Sequence, residues 1–124
     1  TQMPFEPAGG MTPDMAFDRV WAVEVVQRVL RRLEQECRET KKDEHYDIFA
    51  RRIIQPILHG TPEVAMADLA QEHGLTEKQA ANLLLTAKRA YRRLMEEEVR
   101  MYAETEAEVS GEIREIFGIL GEKA

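Results

Sequence analysis

The sequence predicts an all-α fold of five helices, and three observations carry that prediction. Apolar residues recur at three- and four-residue spacing along most of the chain, and no stretch alternates with the two-residue period of a half-buried strand. Aromatics make up 6% and glycines number seven in 124 residues, which favours helices over a sheet sandwich. Third, Ala65 to Arg93, reading AMADLAQEHGLTEKQAANLLLTAKRAYRR, contains one helix end and one helix start only two residues apart. Its first apolar set (Met66, Leu69, Ala70) stops at Gly74, the residue that a left-handed C-cap needs. Thr76 with Gln79 three residues on then forms a capping box, so a second helix begins there. Two helices joined so closely make a helix-turn-helix at about 65–93, with Ala70, Leu75, Ala80 and Leu83 as inward positions.

Taken in order, Thr1 to Gly10 carries two prolines and a Gly9-Gly10 pair without apolar period, so residues 1–11 read as linker or frayed terminus. Without an initiating Met, we expect a piece of a longer chain. Thr12-Pro13 supplies an N-cap and a first-turn proline, opening a single helical domain over 12–124. Its first helix runs to about Thr40. Phe17, Trp21, Val25, Val29, Leu33 and Cys37 form a ladder of four-residue steps, flanked by Ala22, Val26 and Leu30. Such a ladder drifts about 40° around the helix per step, so the helix should meet different partners at its two ends. Trp21 reads as a core anchor.

A second helix follows from about Glu44, with Tyr46, Phe49, Ala50, Ile53, Ile54 and Ile57 on one face. Pro56 should kink or shorten its last turn, and Gly60 closes it. Thr61-Pro62 opens the third helix. The helix capped by Thr76 is long, reaching about Ala103, with Ala80, Leu84, Ala87, Tyr91, Leu94 and Met95 inward. Half a turn away lie Lys78, Asn82, Leu85, Arg89, Arg92 and Arg93. After acidic residues from Glu104 to Glu108, a last helix repeats Val109, Ile113, Ile116, Phe117 and Leu120 at helical spacing.

Composition narrows the function classes. Hydrophobic content of 44% beside 32% charged residues describes a soluble globular chain, and no apolar run approaches a membrane span. Cys37 is the sole cysteine, so no internal disulfide forms and a cytoplasmic location is the expectation. The net charge of −6 argues against blanket attraction to nucleic acid. Its distribution matters more: Lys78 to Arg93 holds five basic residues (Lys78, Lys88, Arg89, Arg92, Arg93) and no acid. A locally basic helix on an acidic domain is compatible with DNA binding.

In DNA readers built on a helix-turn-helix, the second helix enters the major groove N-terminal end first. Lys78, Gln79, Asn82 and Thr86 sit where base edges are reached, and an Asn amide suits adenine. Arg89, Arg92 and Arg93 lie where a groove-inserted helix emerges beside phosphates. With Thr76 and Lys88, these are the candidate DNA-binding residues. Residue pattern alone leaves a second reading equally open, a helical hairpin whose lysines and arginines are a solvated face.

From Glu6 to Leu120 the chain resembles the C-terminal half of a bacterial RNA polymerase sigma factor of the extracytoplasmic-function type. The residues that carry the resemblance are EPA…TP at Glu6 to Pro13, FDRVWAVEVVQRVLRRL at Phe17 to Leu33 and ADLAQEHGLTE at Ala67 to Glu77. KRAYRRLMEEEV at Lys88 to Val99 and EIREIFGIL at Glu112 to Leu120 follow in the same order. The resemblance implies a region-4 domain that docks on core RNA polymerase and reads double-stranded DNA at a promoter −35 element. An anti-sigma protein or a second copy of the chain would be further partners. Region 2 of that family has no counterpart here. Ala81, Leu85 and Thr86 stand where the family's recognition helix usually carries basic or polar residues. An outward Leu85 fits a thymine methyl or a protein contact.

Other constellations carry less. His45, His59 and His73 lie fourteen residues apart on three segments without a cysteine partner, so surface or capping roles are expected rather than a zinc site. Cys37 is expected in the core. Glu96, Glu97 and Glu98 are consecutive on a helix, cannot converge on one ion, and read as a solvated face that repels DNA. No Ser/His/Asp or Cys/His set, phosphate loop or spaced carboxylate pair is present, so neither catalysis nor a cofactor is expected. Two function classes therefore stand: a promoter-reading module of a sigma-like initiation factor, or a sigma-like helical domain used for protein interaction or oligomerisation without DNA readout.

Overall fold

The computed structural model describes residues 13–120, with side chains from 17 to 118. Those residues are all helical or connecting, with no strand among them. In order they form α1 (Pro13–Glu39), α2 (Asp43–Phe49), a π-helical stretch (Ala50–Ile54), α3 (Gln55–His59), α4 (Met66–Glu72), α5 (Glu77–Arg100) and α6 (Glu106–Leu120). Because α2 runs through the π stretch into α3 without a break, these are five helical bodies among the described residues. The expected linker over Thr1 to Gly10, the cap at Thr12 and the side chain of Leu120 lie outside them.

The helix at the centre is α5, which packs against α1, α2, α4 and α6. Ala80, Leu84, Ala87, Tyr91, Leu94 and Met95 are all buried on it, as the 3.6-residue period predicts. They meet Val25, Val29 and Leu33 of α1, Ile48 and Phe49 of α2, Leu69 and Ala70 of α4, and Val109, Ile113 and Ile116 of α6 in one cluster. Tyr91 and Phe49 stack obliquely, ring centroids 5.0 Å apart at 47°, worth about 1 kcal/mol beyond burial. Leu69 is fully buried, so truncating it to alanine should cost about 2–5 kcal/mol.

The helix α1 runs antiparallel to α5, with Arg28 beside Glu98, Arg32 beside Glu97 and Glu36 beside Arg93. It also touches α2 and α6, and its drifting ladder buries Ala22, Val25, Val26, Val29, Leu30, Leu33 and Cys37. The drift turns the start of the ladder outward: Phe17 is 73% exposed, and Trp21 packs half-buried at the edge of the core. The helix ends on Lys41 in the left-handed region (φ 60). The Lys42 N–H reaches Cys37 O at 2.7 Å and the Lys41 N–H reaches Arg38 O at 3.3 Å, a Schellman ending.

Pro56 neither breaks nor ends its helix. The preceding turns widen instead, so that the Gln55 N–H donates to Ala50 O, five residues back. A proline lacks the N–H and crowds the carbonyl four residues earlier, and the π stretch supplies that room before the ring arrives. The helix then stops at Gly60 (φ 65). Of the expected face, Phe49 and Ile54 are buried, whereas Tyr46, Ala50, Ile53 and Ile57 are half-buried. Ile48, outside that face, is fully buried because α2 is wedged between α1 and α5.

One boundary differs from expectation. Thr61-Pro62 does not open a helix; residues 61–65 form no regular element, and α4 begins at Met66 after Ala65 in an extended conformation. Arg52 holds this connection, donating to Val64 O at 2.7 Å and pairing with Glu63 at 3.0 Å.

Candidate nucleic-acid interface

The turn between α4 and α5 aims the face that carries the candidate residues. Gly74 sits at φ 67; the Leu75 N–H donates to Ala70 O at 2.8 Å and the Gly74 N–H to Gln71 O at 3.2 Å. Thr76 then starts α5: its Oγ1 accepts from the Gln79 N–H at 3.1 Å while Gln79 Oε1 accepts from the Thr76 N–H at 2.9 Å. Both orphan donors are satisfied reciprocally. Ala70 and Ala80 are buried beside this turn, with Leu75 and Leu83 half-buried.

Beyond the cap, Lys78, Asn82, Leu85 and Arg89 are exposed and step by four, three and four residues. Eleven residues make about three turns, so the four form one straight stripe opposite the core. Thr86 and Lys88 flank it, also exposed. Lys78, Asn82, Lys88 and Arg89 make no side-chain hydrogen bond or ion pair with the other described residues. The remaining polar groups are committed in part. Thr86 Oγ1 donates to Asn82 O at 3.0 Å, and Gln79 keeps only its amide NH₂ once Oε1 serves the cap.

Past Arg89 the arginines are held by carboxylates. Arg92 lies 3.5 Å from Glu96 and its Cζ stands 5.5 Å from the Phe117 ring centroid, turning it toward α6. Arg93 binds both carboxylate oxygens of Glu36 at 2.6 and 2.8 Å and Glu97 at 3.1 Å. A phosphate would have to compete with Glu96 for Arg92, and with Glu36 and Glu97 for Arg93. Of Glu96 to Glu98, expected as a solvated face, Glu97 is exposed, Glu96 is half-buried and only Glu98 is buried, beside Arg28; each pairs with an arginine. Hydrogen bonds from Arg32 and then Arg93 hold the Glu97 carboxyl below its usual range. A shallow groove of about 570 Å³ lies along this seam; Arg28, Arg32, Glu36 and Glu98 in its lining are all paired. The spacing was a usable signal: Arg92 and Arg93 each have a glutamate four residues on, whereas Lys88 and Arg89 have arginines there.

A second charged cluster was not visible in the sequence. His73 Nε2 lies 2.8 Å from Asp47 Oδ2, and ligand atoms of Asp47, Glu72 and His73 fall within 4.8 Å of one another. Arg51 supplies the cation of this group, bonding both oxygens of Glu72 and reaching Asp47 at 3.4 Å. Its hydrogen bond lowers the Glu72 carboxyl. The cluster ties the α4–α5 turn to α2. His59 is exposed, and His45 is half-buried with its Nδ1 unpartnered among the described residues.

Among the described residues no helix is long and apolar enough to cross a membrane. Compared with family models, with curated proteins and with solved structures, the chain finds no match.

Proposed function

We propose that this chain is the DNA-binding module of a sigma-like transcription initiation factor, a helix-turn-helix domain that reads a −35-type promoter element and contacts RNA polymerase. The observation that carries the reading is the unpaired set Lys78, Asn82, Lys88 and Arg89 on the first half of α5, beside a rigidly capped turn. The order of the matching sequence segments supports its assignment to the sigma type. In this reading α4 crosses the backbone and α5 enters the major groove from its N-terminal end. Lys78, Gln79 and Asn82 face bases, while Lys88 and Arg89 hold phosphates. Thr76 and Thr86 act through the backbone, by capping and by bonding to the helix. Arg92 and Arg93 brace the domain.

Fluorescence-anisotropy titration of a random-sequence duplex across a salt series tests it. The two phosphate-holding cations, Lys88 and Arg89, each displacing a counterion from the duplex, give a log–log salt slope of about −1.8. Lys88→Ala and Arg89→Ala should each flatten it by about 1. Absence of binding at low salt overturns the reading.

A protein-interaction role has its own observation. Phe17 and Val20 are 73% and 55% exposed and stand one turn apart on α1, an apolar pair that the other described residues leave uncovered. A dimeric mass in solution that Phe17→Asp returns to monomer would support that role.

A further inference from the structure

On the reading that α5 enters the major groove, we infer that Asn82 and Leu85 together read an A·T-containing step, Asn82 taking an adenine edge and Leu85 the C5-methyl of the neighbouring thymine. Leu85 is 46% exposed at the middle of a stripe otherwise made of Lys78, Asn82 and Arg89. A leucine there loses nothing by staying helical but gains nothing from water, so its partner on a groove floor must be apolar. The thymine methyl is the apolar group that a base pair offers in the major groove.

Asn82 is the stripe residue with an amide donor and an acceptor both uncommitted. The Gln79 oxygen is spent on the cap, and the Thr86 hydroxyl on the backbone of Asn82 itself. A bidentate contact to adenine N6 and N7 needs both groups. Asn82 and Leu85 are three residues apart on one face, a rise of about 4.5 Å, close to the roughly 3.4 Å step between base pairs. They therefore address neighbouring base pairs. Lys78 below and Arg89 above lie about 16 Å apart along the axis and frame the pair with charge.

The test is selection of a preferred duplex from a random pool by the full chain, followed by replacement of each thymine in it by deoxyuridine, which removes only the methyl. One replacement should weaken wild-type binding about four-fold, the scale of one buried methyl. Leu85→Ala should lose about as much on the thymine duplex and be indifferent to that replacement. Asn82→Ala should lose discrimination at the adjacent adenine by about ten-fold or more. Both side chains are exposed, so neither variant threatens folding. A flat deoxyuridine scan, or a Leu85→Ala variant as sensitive as wild type, overturns this inference while leaving DNA binding intact. Failure of every duplex to bind at low salt overturns the reading beneath it as well.

Discussion

One terminal nitrogen of Arg93 on α5 donates to both carboxylate oxygens of Glu36 on α1, at 2.6 and 2.8 Å, while the other reaches Glu97 at 3.1 Å. Glu97 in turn takes Arg32 at 2.7 Å, so four charged side chains lace the antiparallel seam. Each partner is between 40% and 49% exposed, so water and salt screen the pairs and the benefit is modest. The consequence for function is larger, because Arg93 is not available to a phosphate without giving up Glu36.

Arg93→Ala should therefore lower folding stability by about 0.5–1 kcal/mol and leave the salt slope of DNA binding where it was. Urea unfolding and the anisotropy salt series read the two quantities separately. The reversed pair, Arg93→Glu with Glu36→Arg, should recover part of the stability. A slope flattened by Arg93→Ala would move this residue back onto the DNA side.

The α4–α5 turn makes a sharper demand. At φ 67 Gly74 can be replaced by alanine only with strain of about 1–2 kcal/mol. Space is not the obstacle, since a Cβ there meets nothing within 4 Å. Thr76→Ala removes the acceptor for the Gln79 N–H and should cost about 1 kcal/mol. Urea midpoints should fall for both with unchanged m-values. If duplex binding weakens more than the lost folded fraction explains, the turn also sets the angle of α5.

Lys41 offers the opposite experiment. It is the one non-glycine residue at positive φ among those described, and it is exposed after α1. The two Schellman hydrogen bonds here are donated by backbone N–H groups, which Lys41→Gly leaves in place. The substitution relieves the left-handed strain, so stability should rise by about 1 kcal/mol. A fall in the urea midpoint would mean that the Lys41 side chain contributes something the backbone argument omits.

Much of this arrangement was legible because it is local. Gly74, Thr76 and Gln79 act over three to five residues, and the buried row from Ala80 to Met95 repeats every turn, so propensity and period point the same way. The π stretch was not legible, because Pro56 signals a conflict without saying whether the helix breaks or widens. Phe17 looked like the first rung of a buried ladder, but burial depends on which neighbour faces that turn. Asp47 and His73 lie 26 positions apart, and Glu36 and Arg93 lie 57 apart. No periodicity reports such pairs. For the candidate interface, this decided which basic residues stay free: the exposed stripe could be read from spacing, its division into open and committed cations only from the fold.

Acid should lower the stability of the domain in two steps whose signs follow from two groups. Burial, then Lys42, lowers the His45 imidazole, and its Nδ1 is buried without a partner among the described residues. The unfolded chain, with a pKa of about 6.5, therefore binds the proton more readily. The His45 contribution is present above that value and is lost as pH falls through the folded one. Glu97, held low by Arg32 and Arg93, contributes fully above about pH 4.3 and loses that contribution as pH falls through its depressed value. Urea midpoints taken from pH 7 to pH 3 should show both declines in the wild type. His45→Phe, which removes the titrating nitrogen, should flatten the first. Glu97→Gln should start lower at pH 7, having lost its ion pairs, and fall less in the second. Superimposable pH profiles for wild type and His45→Phe would show that the imidazole titrates alike in the folded and unfolded chain, and that the first decline belongs to another group.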